Sequence, residues 1–228
     1  MTDRISINSG PSVTEVYVYG ASGHGKVVAE VAIASGQRVH GFIDDAPLSP
    51  GERVLGLPIA GGLEWLARRA QQSKITVALG VGNNHARSQV AKHCRELDIP
   101  LMTLVHPSAV VSPSAIIGCG TVAMARAVVN AEARIGDGVI LNTGAIVEHD
   151  CTVGDFAHLS PNSAMGGASS LGQMSWLGMG AVIIHGVNVG DDTIVGAGGV
   201  VIRDLPDAVT AVGVPARVCH RAVNSSHK

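Results

Sequence analysis

From residue 105 to 206 an apolar position returns every six residues without a break. The first residues of successive hexads are Val105, Val111, Ile117, Ala123, Val129, Ile135, Leu141, Val147, Val153, Leu159, Met165, Leu171, Leu177, Ile183, Val189, Val195 and Val201. Fifteen of these 17 are Ile, Leu or Val, a register that chance does not hold for a hundred residues. A small side chain stands four places later in 14 of the 17, as at Ala109, Ala127, Ala145, Cys151 and Ala157. Gly often follows the aliphatic residue, as at Gly118, Gly136, Gly154, Gly172 and Gly190. A six-residue period fits neither an α-helix nor an alternating strand. It fits a parallel β-helix, in which each hexad is a short strand plus a corner. The aliphatic residue then points into a prism, the small residue packs inward near the corner, and Gly serves tight backbone geometry. Three sides make an 18-residue coil, so 17 hexads predict between five and six coils. At a strand spacing of ~4.8 Å the prism is roughly 27 Å long.

Upstream the pattern changes. Residues 15–20 (EVYVYG) read as an apolar strand leading into Gly20-Ala21-Ser22-Gly23-His24-Gly25 and a helix over 26–35. A second strand at 39–43 closes on Asp44-Asp45, and 47–56 reads as a loop. A short helix at 63–71, a third strand at 75–80 ending in Gly80-Val81-Gly82-Asn83-Asn84, a helix to about Leu97 and a last strand at 101–105 follow. Strands alternating with helices predict a Rossmann-like α/β unit with a parallel sheet, about half of a full dinucleotide fold. The expected division is a disordered lead-in at 1–12, the α/β domain at 13–104, the β-helix at 105–206 and a tail at 207–228 that leaves the prism.

Composition narrows the function classes. A net charge of −2 argues against a sequence-independent nucleic-acid binder. No apolar run reaches membrane-spanning length, and 1–12 lacks the apolar core of a signal peptide. Cys94, Cys119, Cys151 and Cys219 have neither metal nor redox spacing, so a reduced, cytoplasmic setting and no metal are expected.

Three loops converge on one sheet edge, where α/β proteins bind ligands. Ser22, Gly23 and His24 form the tip of a glycine-rich turn whose N–H groups suit phosphate; the other reading is a tight structural turn, since G-x-x-G-x-G is not the usual dinucleotide spacing. Asp44 and Asp45 stand where an acid binds ribose hydroxyls, or serve as a turn or helix cap. Gly82 ends the third strand on the same edge. In the prism, His149 should point outward. An outward His is usually just solvated, but Asp150 follows it directly, and a carboxylate that orients imidazole is what a general base needs. His158 is also outward, half a coil away. His185 lies two coils beyond His149, ~9.6 Å off, too far to share a proton. Cys151 should face inward.

Together the motifs YVYGASGHG (17–25), Gly82-Asn83-Asn84, VILNT (139–143), Glu148-His149-Asp150-Cys151, GDFAH (154–158) and Gly213-Val214-Pro215-Ala216 resemble one family over 16–217. It is the hexapeptide-repeat sugar acyltransferases of the sialic-acid O-acetyltransferase type, and within it the N-acetyltransferases of UDP-linked 4-amino sugars. The resemblance implies a left-handed β-helix, a homotrimer with sites between subunits, and acetyl-CoA as donor. It carries His149 over as general base and Asp150 as the acid that supports it, where some relatives have Glu. It puts His158, Gly167 and Met179 at acetyl-CoA, and Ser22, Gly23, His24, Asp44, Asp45 and Gly82 at the nucleotide sugar. Other readings are a sugar O-acetyltransferase, an NAD-dependent oxidoreductase and a non-catalytic sugar-nucleotide-binding β-helix; half-domain size and wrong glycine spacing weigh against the oxidoreductase.

Overall fold

The computed structural model describes residues 14–46 and 51–221, so the lead-in expected at 1–12 lies outside it. The first unit comprises β1 (Glu15–Tyr19), α1 (Gly23–Ala34), β2 (Val39–Ile43), β3 (Arg53–Val54), β4 (Leu57–Gly61), α2 (Leu63–Ala70), β5 (Ile75–Leu79) and α3 (Asn84–Glu96). Its sheet order is β3-β4-β2-β1-β5. The strands pair in parallel except for β3, which is antiparallel to β4. All five residues of β5 are buried, as a strand covered on both faces requires.

Two local expectations are corrected. The loop foreseen at 47–56 contains β3, a hairpin with β4 closed by Leu55 (φ 51°) and Gly56 (φ 73°). Both turn residues are left-handed, which Asn-Gly usually signals and Leu-Gly does not. The strand foreseen at 101–105 does not join this sheet as a unit. Leu101 makes one isolated bridge to Val77, and Leu104–Val105 pairs with Val122–Ala123 as the first strand of the prism. An apolar run suits either sheet, so its composition could not divide it.

The rest is a left-handed parallel β-helix of 17 two-residue strands, Leu104–Val105 to Val200–Val201, in three sheets. Partners lie 18 residues apart, as in Val128↔Ile146 and Val129↔Val147. The inward aliphatic residues from Val129 to Val201 are each at most 3% exposed. Val105 is 38% exposed, having no coil beneath it. The glycines at 118, 136, 154, 172 and 190 form one column. A Cβ at Gly154 would come within 2.4 Å of the Gln173 amide nitrogen, so close approach of the next coil, not a positive φ, excludes a side chain. The tail does not leave the prism at 206. Val209–Val212 pairs in parallel with Ile194–Val195, and Arg217–Arg221 returns antiparallel to it. Val209 and Ala211 alternate inward to cover the last coil, a two-residue period that a hexad register does not detect.

The three outer faces differ. On the first, Leu104, Val122 and Ile140 are buried in one cluster with Val28, Val31 and Ala32 of α1, which seats the α/β unit. The second presents Val110, Val128, Ile146, Ala164, Val182 and Val200. The third presents Ile116, Arg134, Thr152, Ser170 and Asn188. Among the described residues no helix is long and apolar enough to cross a membrane.

Candidate active site

His149 and Asp150 occupy the corner between strands Ile146–Val147 and Thr152–Val153. Asp150 takes a left-handed φ of 60° there, and its Oδ2 lies 2.7 Å from His149 Nδ1. A carboxylate only accepts, so Nδ1 is the donor, and in the uncharged tautomer the lone pair falls on Nε2. That nitrogen lies over Gly167, where a Cβ would come within 2.5 Å of it. His149 and Asp150 are both more than half exposed. Cys151 is fully buried and its thiol donates to the Gly166 carbonyl, so it faces away from His149.

His158 opens a strand of a different sheet, and no hydrogen bond or ring contact joins it to His149 among the described residues. It points out of the prism as expected, but into the α/β unit rather than into water. Its ring stacks on Trp176 at 5.7 Å and 5°, lies 6.3 Å from the His24 ring, and has Nε2 3.2 Å from Asn142 Nδ2. A cleft of about 440 Å³ separates the two units here, lined by His24, Gly82, Asn83, Asn84, His85, His158, Met174, Trp176, Asp192 and Ile194. His24 Nε2 is buried without a hydrogen-bond partner among the described residues. Burial, with the Arg87 charge nearby, pushes His24 down to about 4. Burial, then Arg87, then His24 push His158 down to about 3, so both rings are neutral at pH 7.

Asp44 and Asp45 line a second cavity of about 380 Å³ with Tyr19, Gly20, Val81, Ala86, Gln89, Val90 and His93. Asp44 Oδ2 accepts from the Ala21 amide and Oδ1 from the Ala46 amide, tying it to the glycine-rich turn. Asp45 accepts from the Leu63 amide at the start of α2 and from the Tyr19 hydroxyl. The turn-and-cap geometry is therefore present at both carboxylates. Gly20 (φ 105°) packs on the Gly80 carbonyl, and Gly25 packs on that of Gly20. Ser22 caps α1 by position without a side-chain hydrogen bond, and Gly23 is exposed beside it. Met179 is 60% exposed at a separate corner. One chain thus brings His149, Asp150 and Gly167 together, and His24, Gly82 and His158 together, at two separate places.

Sequence reasoning missed Arg87, which is 1% exposed and crosses from α3 to the prism, and Trp176, the platform under His158. For Asn83 and Asn84 the sequence shows a motif and no role. Asn83 Oδ1 caps α3 at the Ala86 amide, and Asn84 Nδ2 donates to the Met174 carbonyl. The acceptors of Arg87 on the prism are backbone carbonyls far along the chain, which no residue pattern encodes.

A prism of hexapeptide repeats carrying an α/β unit on one face defines the class: a β-helix acyltransferase with an appended α/β domain. Residues 15–94 match the PglD N-terminal domain family. The chain is 40% identical over 119 residues to the UDP-N-acetylbacillosamine N-acetyltransferase of Bacillus subtilis (strain 168), a match covering 48% of this chain and 51%, about half, of that protein. It is similar to the structure of PerB from Caulobacter crescentus in complex with CoA and GDP-perosamine, at 43% identity and TM-score 0.87, over 91% of this chain and 98% of that one. It is also similar to the acetyltransferase domain of PglB from Neisseria gonorrhoeae FA1090 in complex with acetyl coenzyme A, at 40% identity and TM-score 0.83, over 90% and 98%. The chain belongs to the hexapeptide-repeat sugar acyltransferases of the sialic-acid O-acetyltransferase type.

Proposed function

We propose that the protein transfers the acetyl group of acetyl-CoA to the amino group of a nucleotide-linked 4-amino sugar. The observation that carries this is the 2.7 Å His149–Asp150 pair, which leaves Nε2 free as a base at an exposed corner. The sugar amine attacks the thioester carbonyl, and His149 removes an amine proton as the C–N bond forms. The C–S bond breaks and CoA leaves as a thiolate that takes up a proton. Asp150 steadies the imidazolium, while the general-base help of His149 is of a kind worth ~10²–10⁴ in rate. An oxyanion stabiliser is needed, and the Gly167 amide is our candidate. We assign His158, Gly167 and Met179 to acetyl-CoA, and Ser22, Gly23, His24, Asp44, Asp45 and Gly82 to the nucleotide sugar.

Two relatives bear on the base. The Bacillus subtilis name favours UDP, our first reading; the GDP-perosamine complex of PerB favours GDP as the second. Release of CoA with UDP-linked against GDP-linked amino sugars, and with a hydroxyl acceptor, decides among them. No release with any amino sugar would end the N-acetyltransferase reading.

The reading includes a homotrimer with sites between subunits. Its support is the second prism face, whose six outward residues are all aliphatic and which borders the His149 corner. A second copy on that face buries it, and head-to-tail contacts of this kind close a ring. Mixing inactive His149→Ala chains with inactive His158→Trp chains should restore activity, because one interface can then hold both native residues. No recovery after verified subunit exchange overturns the shared site.

A further inference from the structure

The corner residues Gly138, Phe156, Met174 and Asp192 form one column, each 18 residues after the last, and the start of α3 touches all four. Arg87 Nε donates to the Gly138 carbonyl at 2.7 Å and Nη2 to that of Phe156 at 2.6 Å. Asn84 Nδ2 donates to the Met174 carbonyl at 2.8 Å, and His85 Nε2 lies 3.0 Å from Asp192 Oδ1. Arg87 spends its other donors on its own unit: Nη1 on the Val81 and Gly82 carbonyls, Nη2 on Asn84 Oδ1. The guanidinium is 1% exposed, and among the described residues none of its hydrogen-bond acceptors is a carboxylate.

A buried cation without a counter-ion is costly to fold around. Its planar fork, however, holds several carbonyls in one fixed arrangement, which a lysine cannot reproduce. The groups it holds are the two walls of the cleft. On one side is the loop carrying Gly82, packed against the side chain of His24. On the other are Phe156 and Ala157, the residues immediately before His158.

We infer that Arg87 is a positioning residue for the acceptor: by bridging the Gly82–Asn84 loop to two successive coils, it sets the separation between the nucleotide-sugar loop and His158. The inference rests on the proposed function only in naming what the cleft receives. The groups assigned to acetyl-CoA all belong to the prism and do not move with the loop.

The test uses the full chain with Arg87→Lys, which keeps a charge and up to three donors, and Arg87→Met as the stronger variant. The Ala86 amide donates to Asn83 Oδ1 and the residue-87 amide to the Asn83 carbonyl, so exchange at these two amides reports on the loop. In Arg87→Lys it should quicken by about tenfold or more, while exchange at Val147 and Leu159 in the prism core stays as in the native protein. KM for the nucleotide sugar should rise about tenfold, with KM for acetyl-CoA within about twofold. Unchanged exchange at the loop overturns the inference. So do faster exchange with the sugar KM unchanged, both KM values rising together, and acceleration that spreads into the prism core. If Arg87→Met does not fold, Arg87→Lys decides alone. If the native protein acetylates no nucleotide-linked amino sugar, the proposed function fails and the exchange measurement alone judges Arg87.

Discussion

On one face of the prism the outward positions read Val110, Val128, Ile146, Ala164, Val182, Val200; on the next they read Ile116, Arg134, Thr152, Ser170, Asn188. The backbone is the same, the strands are the same length, and the inward neighbours are the same mixture of aliphatic residues. The inward letters therefore specify the coil and the outward letters specify what each face meets. An aliphatic face left in water costs apolar hydration along its whole length. A row of Arg, Thr, Ser and Asn does not. The remaining face is a third case, covered by α1 over its first coils and then opening into the cleft at His158 and Trp176.

The largest expected effect is on the inward positions common to all faces. Val153→Asp places an unpaired charge where 1% of the side chain is exposed, at a cost of about 3–5 kcal/mol. Cooperative thermal unfolding near the native midpoint would contradict the inward register. Next is chemistry at the edge of the aliphatic face: His149→Ala should lower kcat by about 10²–10⁴ with the fold intact, because the side chain is exposed. Near-native kcat in folded, assembled protein would remove His149 as the base. Third, Val182→Asp should cost about 2 kcal/mol or more per interface and shift sedimentation toward the monomer without unfolding the chain. An unchanged sedimentation profile would detach the aliphatic face from assembly.

The covered face predicts a pH dependence. His24 and His158 titrate at about 4 and about 3 when folded, below the ordinary 6.5. The unfolded chain therefore binds protons first, and stability present above pH 6.5 is lost as pH falls toward 4 and 3. Each pH unit costs up to about 1.4 kcal/mol per imidazole. Denaturant midpoints from pH 7 to 5 should decline, and less steeply in His158→Gln; a flat native profile contradicts the burial of these rings. The smallest effect belongs to the polar face: Thr152→Ala should change stability by no more than about 0.5 kcal/mol and leave assembly unchanged. A loss as large as that of Val182→Asp would erase the difference between the faces.

What was legible in the residues follows from sequence distance. The coil repeats itself, so Val147, Val153 and Leu159 announce their inward direction together. His149 and Asp150 are neighbours in the chain, and their pairing could be read directly. The outward letters carried an equally regular signal, one residue before each inward aliphatic, but attention to the core passes over it. The cleft was not legible. His24 and His158 meet only because α1 lies along the prism, and Arg87 in NNHARSQ looks like any solvated helix arginine. Its partner Gly138 is 51 residues away and offers only a carbonyl, which every residue has.

The column of corners under α3 also bears on how such a chain can change length. Eighteen residues added anywhere in the prism restore the inner register. Added between Gly138 and Asp192, they would pull apart contacts that Arg87, Asn84 and His85 make at fixed spacing, and the cleft with them. Added beyond Asp192, they would lengthen the prism while the α/β unit kept its seat. Growth and shortening by whole coils are therefore open to this architecture at its C-terminal end and closed across the four corners that α3 spans.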